Sequence, residues 1–333
     1  MNKIFLLFAN LTLAINFSFA QQVEDSVNMN GGYAMDVFYS LDNGTVQTVA
    51  SAEWTVALST GAQTSSLYTN EGKGVELFET SVAVADFSNT LDTTGIGSWT
   101  KLHNEHNDWE HSAFESGATG HPNYGWGDYN AVSHIVTGTK VFVIKTLADE
   151  YLKATIVKKE NGAWHYRYAT LNSSFDTTIV YQATDLQNKN FAYLNMENHL
   201  VADREPANTD WDMLFTKYYD SDESYNVTGV LVNKGVEIVE IDGVSPASAT
   251  YVGETFDANT KMIGSDWKEF DMTIPPFGAF VLDESGQRVL FRDTLQLGTL
   301  DSNELEASIN ALSLALAENL ETFLEYAVQT ETV

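Results

Sequence analysis

Five of the seven histidines of this chain lie in one segment, together with aromatic, glycine and acidic residues. Neutral imidazole binds zinc, copper and haem iron, and a bound imidazole needs a hydrogen-bond acceptor for its second ring nitrogen. We therefore predict a binding site here, with the alternative of a polar loop that exposes its imidazoles to water. The candidate ligands are His103, His106, His111, His121 and His134, the candidate pocket walls are Trp109, Tyr124, Trp126 and Tyr129, and the candidate acceptors are Glu105, Asp108, Glu110 and Asp128.

Three of these histidines also suggest a different kind of site. His103, His106 and His111 are separated by three and five positions, and zinc or copper sites use such spacing. A loop that exposes all three imidazoles to water has the same pattern, so a zinc or copper site stays an alternative. His165 and His199 have no neighbouring histidine and are expected to face solvent.

Composition and motifs disfavour several classes of function. The chain has 46 acidic against 17 basic residues, a net charge of −29, which disfavours nucleic acid and anionic membranes as partners. It has no Gly-x-Ser-x-Gly elbow, phosphate-binding loop or zincin motif, and without cysteine it has no thiol chemistry. We expect a protein that is not an enzyme.

The first 20 residues have the pattern of a secretory signal peptide. Lys3 precedes an apolar stretch that ends in Ser18-Phe19-Ala20, with Gln21 following. No later apolar stretch approaches the roughly 20 residues of a membrane-spanning helix, and no cysteine follows the signal to carry a lipid. The sequence therefore predicts a secreted, periplasmic or cell-surface protein that is not a lipoprotein, with no membrane insertion of the mature chain.

An internal repeat supplies the elements that would position the histidines. Apolar residues alternate with polar ones in both copies, as in hairpins of half-buried strands. The sequence predicts an all-β fold of two tandem antiparallel β-domains, 21–184 and 185–298, followed by an acidic amphipathic helix over 299–333. Four blocks recur in order: Trp54 aligns with Trp211, Gly74-Val75-Glu76-Leu77 with Gly235-Val236-Glu237-Ile238, the stretch from Gly95 with that from Met262, and the stretch from Lys140 with that from Gly278.

The two copies differ by a long insertion. The first copy has about 38 residues, from Leu102 to Thr139, where the second has only DMTIPPFG, and loops longer than about 12–15 residues are often functional. The histidine segment is this insertion. The site is therefore expected in the first copy only.

Three stretches resemble the HmuY-like haem-binding proteins exported by Bacteroidota. They are NTDWDMLFTKYY from Asn208 with its counterpart SAEWTVALST from Ser51, TNEGKGVEL from Thr69, and GWGDYNAVSHIVTGTKVFVIKTLADEYLKATIV from Gly125. Together the two copies cover most of the chain after residue 20. The resemblance implies an all-β fold and a haem held by two axial side chains, taken up outside the cell for iron acquisition and delivered to an outer-membrane receptor.

Carried onto this chain, the resemblance implies His134 as one axial ligand. The other would be one of His103, His106, His111 and His121. The chain departs from the family in having Gln21 where a lipid-bearing cysteine would follow the signal, and Asn130 and Ala131 ahead of His134. The alternative function is a non-catalytic surface or assembly protein that binds a protein or a glycan.

Overall fold

The computed structural model describes residues 25–186, 188–241, 243–244 and 248–265, and the strands 279–282 and 289–292. The predicted signal peptide (1–20) and C-terminal helix (299–333) lie outside the described residues.

The described residues form strands joined by turns and short 3-10 helices, so the predicted all-β class is confirmed. All pairings between the strands are antiparallel. The strands are β1 (Met35–Ser40), β2 (Gly44–Ala50), β3 (Val56–Ser59), β4 (Leu67–Thr69), β5 (Glu76–Glu79), β6 (Gly127–Asn130), β7 (Ile135–Gly138), β8 (Phe142–Lys145), β9 (Tyr151–Glu160), β10 (Ala163–Thr170), β11 (Asp176–Gln182), β12 (Phe191–Asn195), β13 (Leu200–Ala202), β14 (Met213–Asp220), β15 (Tyr225–Val232), β16 (Ala279–Leu282) and β17 (Val289–Arg292). The 3-10 helices are η1 (Gly31–Tyr33), η2 (Glu71–Lys73), η3 (Val84–Asp86), η4 (Ile96–Ser98), η5 (Ala113–Glu115) and η6 (Ala183–Leu186).

The largest sheet, sheet C, has seven strands and carries core on both faces. Its order is β11-β10-β9-β7-β6, with β8 also paired to β9, and β5 paired to β8. Trp164, Tyr166 and Tyr168 alternate along β10 and are all fully buried in the main core, as their period-two spacing predicts. Val141 and Val143 pack in a second cluster.

Two four-stranded sheets join the two ends of the described chain. Sheet A has the order β15-β14-β1-β2 and sheet B the order β13-β12-β3-β4. Each sheet therefore takes one hairpin from before residue 70 and one from after residue 190. The boundary predicted between residues 184 and 185 runs through both sheets, so the described parts of the two predicted domains fold together.

The two aligned tryptophan blocks make matching hydrogen bonds. The Asn70 side-chain amide donates to the carbonyls of Ser51 and Trp54 at 2.8 and 2.9 Å. In the second copy, the Asn233 amide donates to the carbonyls of Asn208 and Trp211 at 2.8 and 2.7 Å. The aligned tryptophan blocks therefore share one local structure.

Sheets A and B combine their hairpins in the same way. In sheet B, the first-copy hairpin β3–β4 pairs with β12–β13, which lies later in the chain. In sheet A, the second-copy hairpin β14–β15 pairs with β1–β2 from the N-terminal end. The N-terminal hairpin β1–β2 thus pairs with the second-copy strand β14 in the way that β12–β13 pairs with the first-copy strand β3.

The predicted insertion is more ordered than an irregular loop. Residues 127–130 and 135–138 form the hairpin β6–β7, which joins sheet C through pairing of Val136 and Thr137 with β9. Gly138 permits this close approach, because a Cβ there would lie 1.6 Å from the Ile156 carbonyl oxygen. Residues 102–126 hold four of the histidines, His103, His106, His111 and His121.

Candidate functional site

A surface groove of about 620 Å³ follows the histidine segment. It is lined by three of the five candidate ligands, His103, His111 and His121. The rest of its surface is mostly polar, and small molecules bind in clefts of roughly 300–1,000 Å³. The other lining residues are Gln63, Thr64, Ser65, Ser66, Glu105, Glu110, Ser112, Glu115, Ser116, Gly117, Ala118, Gly120, Asn123 and Tyr124.

His103 is held in place from two sides. Its Nδ1 lies 2.7 Å from Glu71 Oε1, and its ring stacks on Tyr219 with the centroids 3.7 Å apart. Glu71 Oε2 accepts a hydrogen bond from the Asn104 backbone N–H at 2.9 Å. Burial raises the pKa of Glu71, while His103 and Asn104 oppose that rise. With Nδ1 facing the carboxylate, Nε2 is the ring nitrogen left for a ligand.

Sequence reasoning missed Glu71 as a partner of His103. The two residues are 32 positions apart, so no local pattern connects them. A signal does exist in the repeat: the first copy has Asn70-Glu71-Gly72-Lys73-Gly74 where the second has Asn233-Lys234-Gly235. Glu71 and Gly72 are the two additional residues of the first copy, which also carries the histidine insertion.

His111 also has a carboxylate partner, Asp108, which is one of the four candidate acceptors named from the sequence. Its Nδ1 lies 2.7 Å from Asp108 Oδ2, three positions earlier. Burial acts against protonation of His111, but the contacts with Asp108 outweigh it, so the pKa of His111 is raised. The side chain is mostly exposed, which leaves Nε2 accessible in the groove.

His121 and His134 both lie near Tyr129. The ring centroids of His121 and Tyr129 are 5.1 Å apart, those of Tyr129 and His134 are 6.1 Å apart, and the Tyr129 hydroxyl lies 2.6 Å from His134 Nδ1. Both histidines are exposed. His134 ends the β6–β7 turn with a φ of 59° and is not among the residues that line the groove.

His106 faces the core. It is 9% exposed, and its ring packs against Tyr218 and Tyr68 with centroid distances of 4.9 and 5.8 Å. Burial lowers its pKa to about 4. This imidazole is therefore a core side chain and does not reach the groove.

The predicted pocket walls are only partly at the groove. Tyr124 lines it, and Tyr129 contacts His121. Trp126 is fully buried and donates from Nε1 to the Ser65 carbonyl at 2.9 Å. Trp109 packs against Phe191 and Trp211 and donates to the Val232 carbonyl at 2.8 Å. Both tryptophans therefore pack in the core. The walls of the groove are mostly polar.

The alternative zinc or copper site requires three ligands that converge. Among the described residues, which include His103, His106 and His111, no three His, Asp or Glu side chains are grouped so that they could hold a metal ion. The inward position of His106 separates it from the other two. The remaining isolated histidines are in ordinary surroundings: His165 lies on β10, and His199 Nδ1 lies 2.5 Å from the Tyr168 hydroxyl.

We predict that His106 makes the fold sensitive to acid. Its pKa is about 4 in the folded protein, below the ordinary histidine value of 6.5 that applies to the unfolded chain, so the unfolded chain binds more protons between these two pH values. The free energy of unfolding therefore falls as the pH is lowered from 6.5 to 4. At pH 4.5 the titration of His106 lowers the free energy of unfolding by about 2–3 kcal/mol relative to pH 7. Urea unfolding at pH 7 and pH 4.5 measures it.

His106→Phe keeps a ring in the core but cannot titrate, so its unfolding free energy should lack this part of the pH dependence. The exposed His121→Phe serves as the matched control and should keep it. Equal pH profiles for the wild type and His106→Phe would contradict the prediction.

Among the comparisons with known proteins, a match was found only near the C-terminal end of the chain. A family model described as CesT_Tir_1 matches residues 275–329. No curated protein and no solved structure matches the chain. The matched segment includes the hairpin β16–β17, and most of its other residues lie outside the described part. It covers too little of the chain to assign the whole protein to that family. Within the described residues, no helix is long and apolar enough to cross a membrane.

Proposed function

We propose that the protein is a non-catalytic haem-binding protein that holds haem in the groove through imidazole. One observation carries this proposal: His103 and His111 line the same groove, and each has its Nδ1 at 2.7 Å from a carboxylate oxygen. A carboxylate in that position fixes the ring and favours Nε2 as the metal ligand. His121 lines the same groove and is a third candidate.

The donor set suits haem better than a bare metal ion. Haem iron needs only one or two protein ligands, whereas a zinc site needs three or four. The described residues offer separate imidazoles and no group of three ligands. The groove volume of about 620 Å³ is also in the range of small-molecule sites.

In this proposal the chain binds haem reversibly and performs no reaction on the porphyrin. When bound, haem supplies an iron that accepts the imidazole lone pair. Glu71 and Asp108 hold the protons on Nδ1, and Tyr219 fixes the plane of the His103 ring. The signal pattern of residues 1–20 supports export, and the HmuY-like resemblance supports delivery of haem to an outer-membrane receptor.

A haemin titration followed by absorbance tests the ligand assignment. We expect the double variant His103→Ala/His111→Ala to weaken haem binding by more than about tenfold, because removal of even an outer-shell partner costs roughly 10–100-fold in metal affinity. The double variant His165→Ala/His199→Ala removes two imidazoles away from the groove and should bind as the wild type does.

The single variant His134→Ala separates this assignment from the one that the family resemblance implies. We expect it to bind haem normally, because His134 is outside the groove. Unchanged affinity in the His103/His111 variant, or loss of binding in His134→Ala alone, would contradict the groove assignment.

A further inference from the structure

A small second cavity lies between sheets A and B. His103, His111 and His121 do not line it, but Glu71, the carboxylate partner of His103, does. The volume of the cavity is about 60 Å³. Its walls come from both copies of the repeat and from the N-terminal hairpin, and they include six Phe, Tyr or Trp side chains. The rings are Trp54, Tyr68, Trp109, Phe191, Tyr193 and Tyr218.

Two buried N–H groups at this cavity have no acceptor among the described residues. They are Trp54 Nε1 and Arg204 Nε. Arg204 is 5% exposed, and its Nη2 already donates to Asp36 Oδ2 and to the Ala50 carbonyl at 3.0 and 2.7 Å. Buried donors are nearly always satisfied in folded proteins, so each unpaired donor calls for an explanation.

The charges around the cavity decide which kind of ligand can accept hydrogen bonds from these two N–H groups. An aromatic box often binds a cation, but here the Arg204 guanidinium lies 5.0 Å from the Tyr193 ring centroid and already occupies that role. Both lining carboxylates have partners: Asp36 contacts Arg204 and Thr216, and Glu71 contacts His103 and the Asn104 backbone N–H. The unpaired groups are both donors, so the ligand must bring an acceptor.

We propose that this cavity binds a small carboxylate of about the size of acetate. A water-sized group needs about 10–15 Å³, so the cavity of about 60 Å³ holds roughly four non-hydrogen atoms. The carboxylate oxygens accept from Trp54 Nε1 and Arg204 Nε, and the methyl group packs against the aromatic rings. The proposal does not rest on haem binding, although Glu71 lines this cavity and also contacts His103 of the groove.

Nuclear magnetic resonance of the tryptophan indole N–H groups tests this site with sodium acetate as the probe. At constant ionic strength, we expect the Trp54 resonance to shift saturably with acetate. The Trp211 indole is a matched internal control, because its Nε1 is also buried and unpaired among the described residues but does not line the cavity. Trp54→Phe assigns the resonance.

Ala57→Val separates cavity occupancy from a general effect of acetate. Ala57 lines the cavity and is 2% exposed, so two added methyl groups fill space while both donors remain. We expect this variant to keep its fold and lose the saturable shift. No saturable shift in the wild type would overturn the proposal and leave water as the occupant. Equal shifts of Trp54 and Trp211, or an unchanged shift in Ala57→Val, would overturn it as well.

Discussion

Replacement of Asp36 by alanine is expected to lower the free energy of unfolding by about 3–5 kcal/mol. Asp36 Oδ2 lies 3.0 Å from Arg204 Nη2, and Asp36 Oδ1 accepts a hydrogen bond from Thr216 Oγ1 at 2.7 Å. The two charged side chains are only 6% and 5% exposed. Without Asp36, a buried guanidinium loses its counter-charge, and the N-terminal hairpin loses its polar link to β14.

Urea unfolding of three variants measures this effect. Asp42→Ala is the matched control, because Asp42 is exposed in the turn of the same hairpin and should change stability very little. Asp36→Leu combined with Arg204→Met removes both charges and should recover much of the loss, since an apolar pair can replace a buried ion pair. A loss below about 1 kcal/mol in Asp36→Ala would show that the ion pair does not hold the hairpin.

Replacement of Gly72 by alanine is expected to damage both the fold and the histidine groove. A Cβ at position 72 would lie 1.9 Å from the Lys217 carbonyl oxygen, which is backbone of β14 and cannot move away alone. We expect such overpacking to lower the free energy of unfolding by roughly 2–3 kcal/mol. The shift also displaces the adjacent Glu71, so that His103 loses its carboxylate partner and haem binding weakens.

Gly97→Ala is the control for this substitution. A Cβ at position 97 meets no atom within 4 Å. Gly97 does not have a positive φ, so alanine fits its backbone conformation. Thermal unfolding and haemin titration of the two variants give both readouts. Equal melting temperatures for Gly72→Ala and Gly97→Ala would contradict the predicted contact with β14.

The fold class is predictable from sequence because strand alternation is a local property. Trp164, Tyr166 and Tyr168 point to one core because residues two apart share a face of a strand. The pairing of β1 with β14 is not predictable in this way. Val37 pairs with Phe215, which lies far from it in the sequence, and no local pattern encodes this pairing.

The candidate site also combines contacts that are local in sequence with contacts that depend on tertiary structure. His111 and Asp108 are three positions apart, and their contact follows from local spacing. His103 and Glu71 are brought together by the packing of η2 near the insertion, which depends on tertiary structure. His106 lies between the groove residues His103 and His111 in sequence, but its side chain is buried in the core. Trp109 and Trp126 suit a core as well as a pocket, so composition alone does not place them.

Haemin titration of the unaltered protein, oxidised and then reduced with dithionite, tests the central claim most directly. Haem ligation by groove imidazoles predicts a saturable Soret shift at one haem per chain, with sharp α and β bands after reduction if two imidazoles coordinate the iron. An absorbance spectrum that is only the sum of free haemin and protein would contradict haem binding. The scaffold would then be better explained as a surface protein that binds a protein or a glycan.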